Sequence, residues 1–299
     1  MGVIEAKAPV RTVEAEINYL SGGSFINRRY VAPGIEHNTG TYEPHRVLIG
    51  DARPSRGDFT LHRNGFALVD HKSRVGDFFD REHVDSIYPG EVLEAVKAIT
   101  GADRVAPMGW MARTSGDLAK HLKPQTGGYK HQGGVQPPAG EAHVDMLPDR
   151  AERHARMLHD KHFPEKTGYS RFIATSFWRT FSEPPQDWPL AVCDGRSVDP
   201  AEGVANSLII VDALPSPEAM LADVPGEENL PAAAVFRYNP NHRWWYYSGM
   251  NRDEALILKF HDSDRSTAWR TPHTAFRDTS FPDAKERASV EFRSVAYFD

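Results

Sequence analysis

From Arg171 to its end the chain reads as a run of short strand-like segments, and that pattern narrows the available folds more than any other feature. The segments are Arg171 to Phe181, Pro189 to Asp194, Ser207 to Val211, Ala232 to Tyr238, Arg243 to Ser248, Ala255 to Phe260, Thr267 to Phe276 and Ala288 to Phe298. Turn-formers such as Asn239-Pro240-Asn241 and Ser263-Asp264 separate them. One short helix interrupts at Ser216-Pro217-Glu218, a cap followed by proline at the first helical position. Many short antiparallel strands in one block predict a jelly roll or barrel-like double sheet, mainly β with flanking helices. Side chains from distant strands can converge inside such a sheet pair.

The first half is more mixed. Strand-like pieces at Arg46 to Ile49, Phe59 to Leu61 and Gly65 to Val69 precede a predicted helix over 91–100, with Val92, Leu93, Val96 and Ile99 on one side. A second helix is predicted from Pro148 to Lys161 on the stripe Ala151, Ala155, Leu158. Between them, residues 124–142 hold five Gly and three Pro, either a plain connector or a lid carrying Tyr129 and Lys130. The expected organisation is one domain over 1–299: residues 1–123 packing on a core formed by 143–299, with 124–142 as the loop between. With 35 Lys plus Arg against 41 Asp plus Glu, a net charge of -6 argues against a nucleic-acid or anionic-membrane partner. No apolar run is long enough to span a membrane, and the first residues lack a signal-peptide hydrophobic region. The single Cys193 excludes an internal disulfide and a multi-thiolate metal site, and lies in a strand-like run where a buried, inert thiol is expected. A cytoplasmic protein follows, with a homodimer left open.

Chemistry concentrates in an ordered set: His143-Val144-Asp145, then His273, then Arg287-Ala288-Ser289. The tripeptide alone means little. With 14 His and 41 acidic residues, His-x-Asp/Glu should occur about two times by chance, and His83-Val84-Asp85 is the second copy. Context separates them: His83 leads into the first helix and reads as solvated or capping, whereas His143 opens the strand-rich half. Two imidazoles and one carboxylate bind a metal while leaving positions open, as non-haem Fe(II) with O2 requires. Strand alternation puts Arg287, Ser289, Glu291 and Arg293 on one face, where a guanidinium and a hydroxyl suit the distal carboxylate of a keto-diacid. A ligand-free Glu–Arg ladder is the ordinary alternative, and Arg293 is the second candidate anchor. His159, His242 and His261 read as solvated, and Lys259 as a rim residue. Trp178 reads as core or pocket wall, while the mid-strand cation Arg179 needs an anion and so is a candidate substrate contact. The aromatic-rich interior suggests a mainly apolar substrate bearing one anionic group for Arg179 or Lys130 to meet, with Trp178 and Tyr129 as further candidate contacts.

Taken together, these segments resemble the CmcJ-like group of Fe(II)/2-oxoglutarate-dependent oxygenases, the cephalosporin methoxylase-related and gibberellin desaturase-like hydroxylase/desaturases. The resemblance is carried by His143-Val144-Asp145, Phe177-Trp178-Arg179, Asp187-Trp188-Pro189-Leu190-Ala191-Val192-Cys193-Asp194 and Asn239-Pro240-Asn241-His242-Arg243-Trp244. It continues through Asp253-Glu254-Ala255-Leu256 and Thr271-Pro272-His273-Thr274-Ala275-Phe276 into Arg287-Ala288-Ser289, with looser likeness at Asn18-Tyr19-Leu20, Asn64-Gly65-Phe66 and Thr100-Gly101-Ala102. It implies a double-stranded β-helix, iron on His143, Asp145 and His273, and 2-oxoglutarate anchored by Arg287. One departure is Ser176-Phe177, where the group suggests a polar amide. The implied reaction oxidises an aliphatic C–H of a small natural-product-type molecule, by hydroxylation, desaturation or oxidative cyclisation, with release of succinate and CO2. Two rivals share these residues. A zinc hydrolase could use the same His/Asp/His set, and a non-catalytic cupin-like binding protein could carry it by coincidence.

Overall fold

The computed structural model describes residues 10–33, 35–116 and 135–299. Tyr129 and Lys130 lie outside them, as does most of the Gly/Pro-rich loop. In the first third the elements are β1 (Thr12–Leu20), β2 (Arg28–Ala32), β3 (Ile35–Asn38), β4 (Tyr42–Asp51), β5 (Phe66–Asp70), α1 (Arg81–Thr100) and β6 (Arg104–Thr114). The middle holds β7 (His143–Val144), α2 (Pro148–His162), β8 (Arg171–Thr180), β9 (Leu190–Cys193), β10 (Val204–Ile210) and α3 (Pro217–Leu221). Then come β11 (Ala232–Val235), β12 (Trp244–Tyr246), β13 (Glu254–Asp262), β14 (His273–Ala275) and β15 (Ala288–Phe298).

These strands form two sheets. The larger has the order β1-β4-β12-β9-β14-β7-β11-β10-β2-β3, and the smaller β5-β13-β8-β15-β6. The expected double sheet is therefore present, a jelly-roll arrangement. The N-terminal third differs from expectation: instead of packing on a finished core, it supplies strands to both sheets. Alternation explains why. Along β1, Val13, Ala15, Ile17 and Tyr19 are buried while the residues between them face out, which fits a strand covered on one face.

The smaller sheet is apolar on both faces. Trp178, Leu256, Leu258 and Val295 join the core shared with the larger sheet and α2, while Phe177, Ile257, Val290 and Phe292 pack with α1. Helix α1 contributes Val84, Tyr88, Val92 and Val96, an unbroken i, i+4 stripe. It starts ten residues before the predicted helix over 91–100, because the Asp80 side chain accepts from the His83 amide and the stripe outweighs Pro89 inside the helix. Asp80, not His83 or Asp85, is the cap.

Two bulges matter for the site. Opposite Arg293 and Ser294 of β15 the extra residue is on β6, Met108 between the paired Pro107 and Gly109, whereas on β13 it is Phe260, between the paired Lys259 and His261. Because neither extra residue is on β15, the alternation of that strand runs unbroken: Ser289, Glu291, Arg293, Val295 and Tyr297 share the inner face, polar at first and apolar after.

Candidate metal and cosubstrate site

His143 and His273 come together because they sit directly opposite one another on neighbouring antiparallel strands, β7 and β14. Their ring centroids are 4.4 Å apart. Two residues after His143 the chain turns Asp145 inward, and Asp145 Oδ1 lies 3.3 Å from His143 Nε2 and 3.4 Å from His273 Nε2. One ligand atom from each residue falls within 4.8 Å of the others. Each imidazole is also oriented from behind. His143 Nδ1 donates to the Glu141 carbonyl at 2.8 Å, and His273 Nδ1 to the Thr271 carbonyl at 3.1 Å. With the proton on Nδ1, both Nε2 lone pairs point at the carboxylate, the arrangement in which outer hydrogen bonds fix metal-binding histidines.

The smaller sheet supplies the counter-charge. Arg293 Nη2 lies 2.7 Å from Asp145 Oδ2 and donates to Glu291 Oε1 at 2.6 Å. Burial alone pushes the Asp145 carboxyl up, but Arg293 and the two imidazoles outweigh it and hold the group well below the usual carboxylate range. Burial pushes His143 down, and its partner Asp145 more than offsets that, leaving the imidazole raised. A divalent ion of the iron or zinc class fits this donor set: two neutral nitrogens and one ionised oxygen, converging and desolvated.

Arg287 differs from Arg293. Its side chain is 1% exposed, yet no carboxylate among the described residues lies within ion-pair range. Its Nη1 donates to the Trp188 carbonyl at 2.9 Å, while its Nε is buried without a partner. The Ser289 hydroxyl is likewise buried and unpartnered. Burial first, and the nearby positive Arg113 second, push the Arg287 guanidinium down to about 9. A buried cation repelled by another cation and facing an orphaned hydroxyl needs an anion. The narrow pocket beside it is walled by His143, His273, Arg287, Arg113, Trp178 and Ser176, so an acid held there lies against the metal ligands. The backbone of Arg287 is pinned at its amide by Ser115 Oγ at 2.7 Å and Asp187 Oδ1 at 2.9 Å.

The other sequence candidates are placed as follows. Trp178 faces the pocket, with the Arg287 guanidinium 5.7 Å from its ring centroid, so it borders the acid site. Arg179 does not reach the site, because strand alternation turns it to the opposite face. There it donates to Tyr88 Oη at 3.1 Å and to the His71 and Arg252 carbonyls, and contacts His71 Nδ1. Its expected anion is replaced by carbonyls and aromatic rings, which corrects the reading as a substrate contact. Three histidines expected in solvent are buried instead: His159 among Tyr169, Phe163 and Tyr297, His242 between Glu202 and Tyr19, and His261 between Phe172 and Trp269. Lys259, expected on the rim, is buried and paired to Asp262 at 2.7 Å. Cys193 is buried and its thiol is pushed up to about 12, mainly by burial. Arg113, a further cation at the pocket, is not singled out by the sequence. The missed signal was strand pairing, since Arg113 stands opposite Ser289 across β6 and β15.

Comparison with known proteins agrees with this geometry. The family profile described as an oxidoreductase/YMDC permease-like domain matches residues 17–297. Hydroxylase/desaturase efuI of Hormonema carpetanum is 30% identical over 294 residues, 96% of each chain. The Fe(II)/2-oxoglutarate-dependent dioxygenase nvfI of Aspergillus novofumigatus is 30% identical over 89% of this chain and 87% of its own. The solved structure titled iron and alpha-ketoglutarate-dependent endoperoxidase NvfI matches with a TM-score of 0.74 at 25% identity, covering 96% of this chain and 98% of that one. No helix among the described residues is long and apolar enough to cross a membrane. The chain belongs to the family of Fe(II)/2-oxoglutarate-dependent dioxygenases and hydroxylase/desaturases.

Proposed function

We propose that this chain oxidises an aliphatic C–H of a small natural-product-type molecule, with His143, Asp145 and His273 holding Fe(II), and Arg287 with Ser289 gripping the distal carboxylate of 2-oxoglutarate. One observation carries the assignment: a buried guanidinium with no carboxylate partner among the described residues and an unbonded Nε, on the same strand face as a buried, unpartnered hydroxyl, lines a pocket walled by His143 and His273. A zinc hydrolase would need the ligands but gives no reason for Arg287 and Ser289. When bound, iron with 2-oxoglutarate and O2 supplies the oxidant for hydrogen removal, and 2-oxoglutarate leaves as succinate and CO2.

The protein's own groups bind, orient and shield. Glu141 and Thr271 carbonyls keep the Nδ1 protons of the two imidazoles, so that Nε2 is free to ligate. Arg293 keeps Asp145 ionised throughout the physiological range. Leu258 and Trp178 close the acid pocket against water. The test is anaerobic addition of Fe(II) and 2-oxoglutarate. A visible metal-to-ligand charge-transfer band is expected, absent in His143→Ala and requiring at least tenfold more 2-oxoglutarate in Arg287→Leu. A wild-type chain that develops no band refutes the proposal.

A further inference from the structure

Building on that reaction, we infer that the organic substrate is an uncharged, largely hydrocarbon molecule seated in a methionine-lined cleft beside Asp145. The cleft encloses about 560 Å3 between β6, α2 and the segment leading into β11. Sites for drug-sized ligands run from about 300 to 1,000 Å3. Asp145, Glu291 and Arg293 form one wall, so the cleft borders one of the three proposed metal ligands. Of seven methionines in the chain, Met108, Met111, Met146 and Met157 all line it. Thioether side chains are unbranched and polarisable, and mould themselves to apolar bodies of irregular outline.

Charge in the cleft is already balanced by the protein. Arg150, Arg153, His154 and Met157 form an i, i+3, i+4, i+7 stripe on α2, beside the stripe that enters the core. Arg150 Nε donates to the Leu230 carbonyl at 2.8 Å, and its Nη1 contacts Asp149. Arg153 donates to Asn229 Oδ1 and to the Glu228 carbonyl, both at 2.8 Å. Arg293 is held between Asp145 and Glu291. Burial lowers the His154 imidazole, keeping it neutral near pH 7. An entering carboxylate or phosphate would lose hydration and, among the described residues, meet only cations already committed to other acceptors. An ammonium would find both carboxylates answered by Arg293. A neutral apolar body meets neither penalty, and this replaces the anionic group that Arg179 and Lys130 had suggested.

Methionine methyl 13C labelling of the full chain gives the test, with pregnenolone as a rigid neutral probe and its sulfate ester as the anionic match. Pregnenolone should shift the signals of Met108, Met111, Met146 and Met157 to saturation, and leave Met220 and Met250, buried elsewhere, in place. The sulfate should bind at least tenfold more weakly. Met111→Glu should weaken pregnenolone at least tenfold, as should Met157→Glu, at a position 54% exposed where the fold tolerates a charge. Equal binding of the sulfate, no saturable shift at the four methionines, or unchanged binding in both variants overturns the inference. The titration needs neither iron nor 2-oxoglutarate, so its failure leaves the oxygenase reading intact, and loss of the charge-transfer band leaves this result intact.

Discussion

Arg287 carries two opposed consequences in one side chain. A buried guanidinium without a carboxylate destabilises the ligand-free chain, and the same unmet charge makes it an acid receptor. Burial and the nearby Arg113 push its guanidinium down to about 9, the direction that cost implies. Arg287→Leu should therefore leave the ligand-free melting temperature unchanged or raised, since apolar replacement of buried charge is often neutral or stabilising by about 1–4 kcal/mol. The same variant should lose about 1.5–3 kcal/mol of 2-oxoglutarate binding, roughly 10- to 150-fold in affinity, as charged hydrogen bonds disappear. Calorimetric titration and a melting curve on one sample check both; a fall in both would mark Arg287 as structural. His261 gives a second residue-scale outcome. Both ring nitrogens are buried without partners, and burial lowers its acid constant from 6.5 to about 4. In the unfolded chain it takes up a proton near its ordinary value, and in the folded chain only near 4, so stability is intact above about 6.5 and falls as pH drops towards 4. The loss is on the order of 3 kcal/mol. His261→Leu should flatten urea-unfolding stability across that window, and an unchanged acid limb would contradict the assignment.

At the scale of elements, β14 is only three residues long, yet it presents a ligand. The predicted strand Thr267 to Phe276 shrinks to His273–Ala275 because the residues before it bond elsewhere. The Ala268 amide goes to the His62 carbonyl and the Thr271 amide to the Lys259 carbonyl. That detour fixes His273. Thr271 Oγ1 donates to the Gly65 carbonyl at 2.8 Å, and the Thr271 carbonyl in turn accepts His273 Nδ1. Gly65 has φ +88, and a Cβ there would stand 2.3 Å from Thr271 Oγ1. Gly65→Ala should cost about 1–3 kcal/mol of stability and weaken metal binding as the His273 ring tilts. Thermal melts and a metal titration measure the two effects, and destabilisation with metal affinity intact would disconnect Gly65 from the site. This linkage was not legible in the sequence: Gly65 looks like a strand start, and nothing local ties it to residue 271. By contrast, the polar face Arg287, Ser289, Glu291, Arg293 could be read from alternation alone, because β15 pairs with β8 without a register shift. Arg179 shows the limit of the same rule. Alternation separates Trp178 from Arg179, but only the packing of α1 shows which of the two faces the site.

Across the whole molecule, the site is a seam between two sheets. His143 and His273 belong to the larger sheet; Ser289, Glu291 and Arg293 belong to the smaller, with Arg287 at its edge. The strand-rich second half made a double sheet legible, because turn spacing and alternation are local signals. The part played by residues 1–123 was not, because joining β2 to β10, and β4 to β12, is decided by partners far along the chain. The same topology predicts how cosubstrate acts on stability. A diacid gripped by Arg287 and Ser289 at one end, and by a metal on the larger sheet at the other, ties the sheets together. At a hundred times its dissociation constant it should add about 2.7 kcal/mol to the metal-loaded chain. Hydrogen exchange should slow together on β7, β14 and β15, although β15 pairs with neither of the other two strands. In Asp145→Ala the metal-dependent share of the protection should vanish from β7 and β14, while 2-oxoglutarate still slows exchange near residue 287 at higher concentration. Protection confined to one sheet in the intact chain would mean that the acid binds away from the seam.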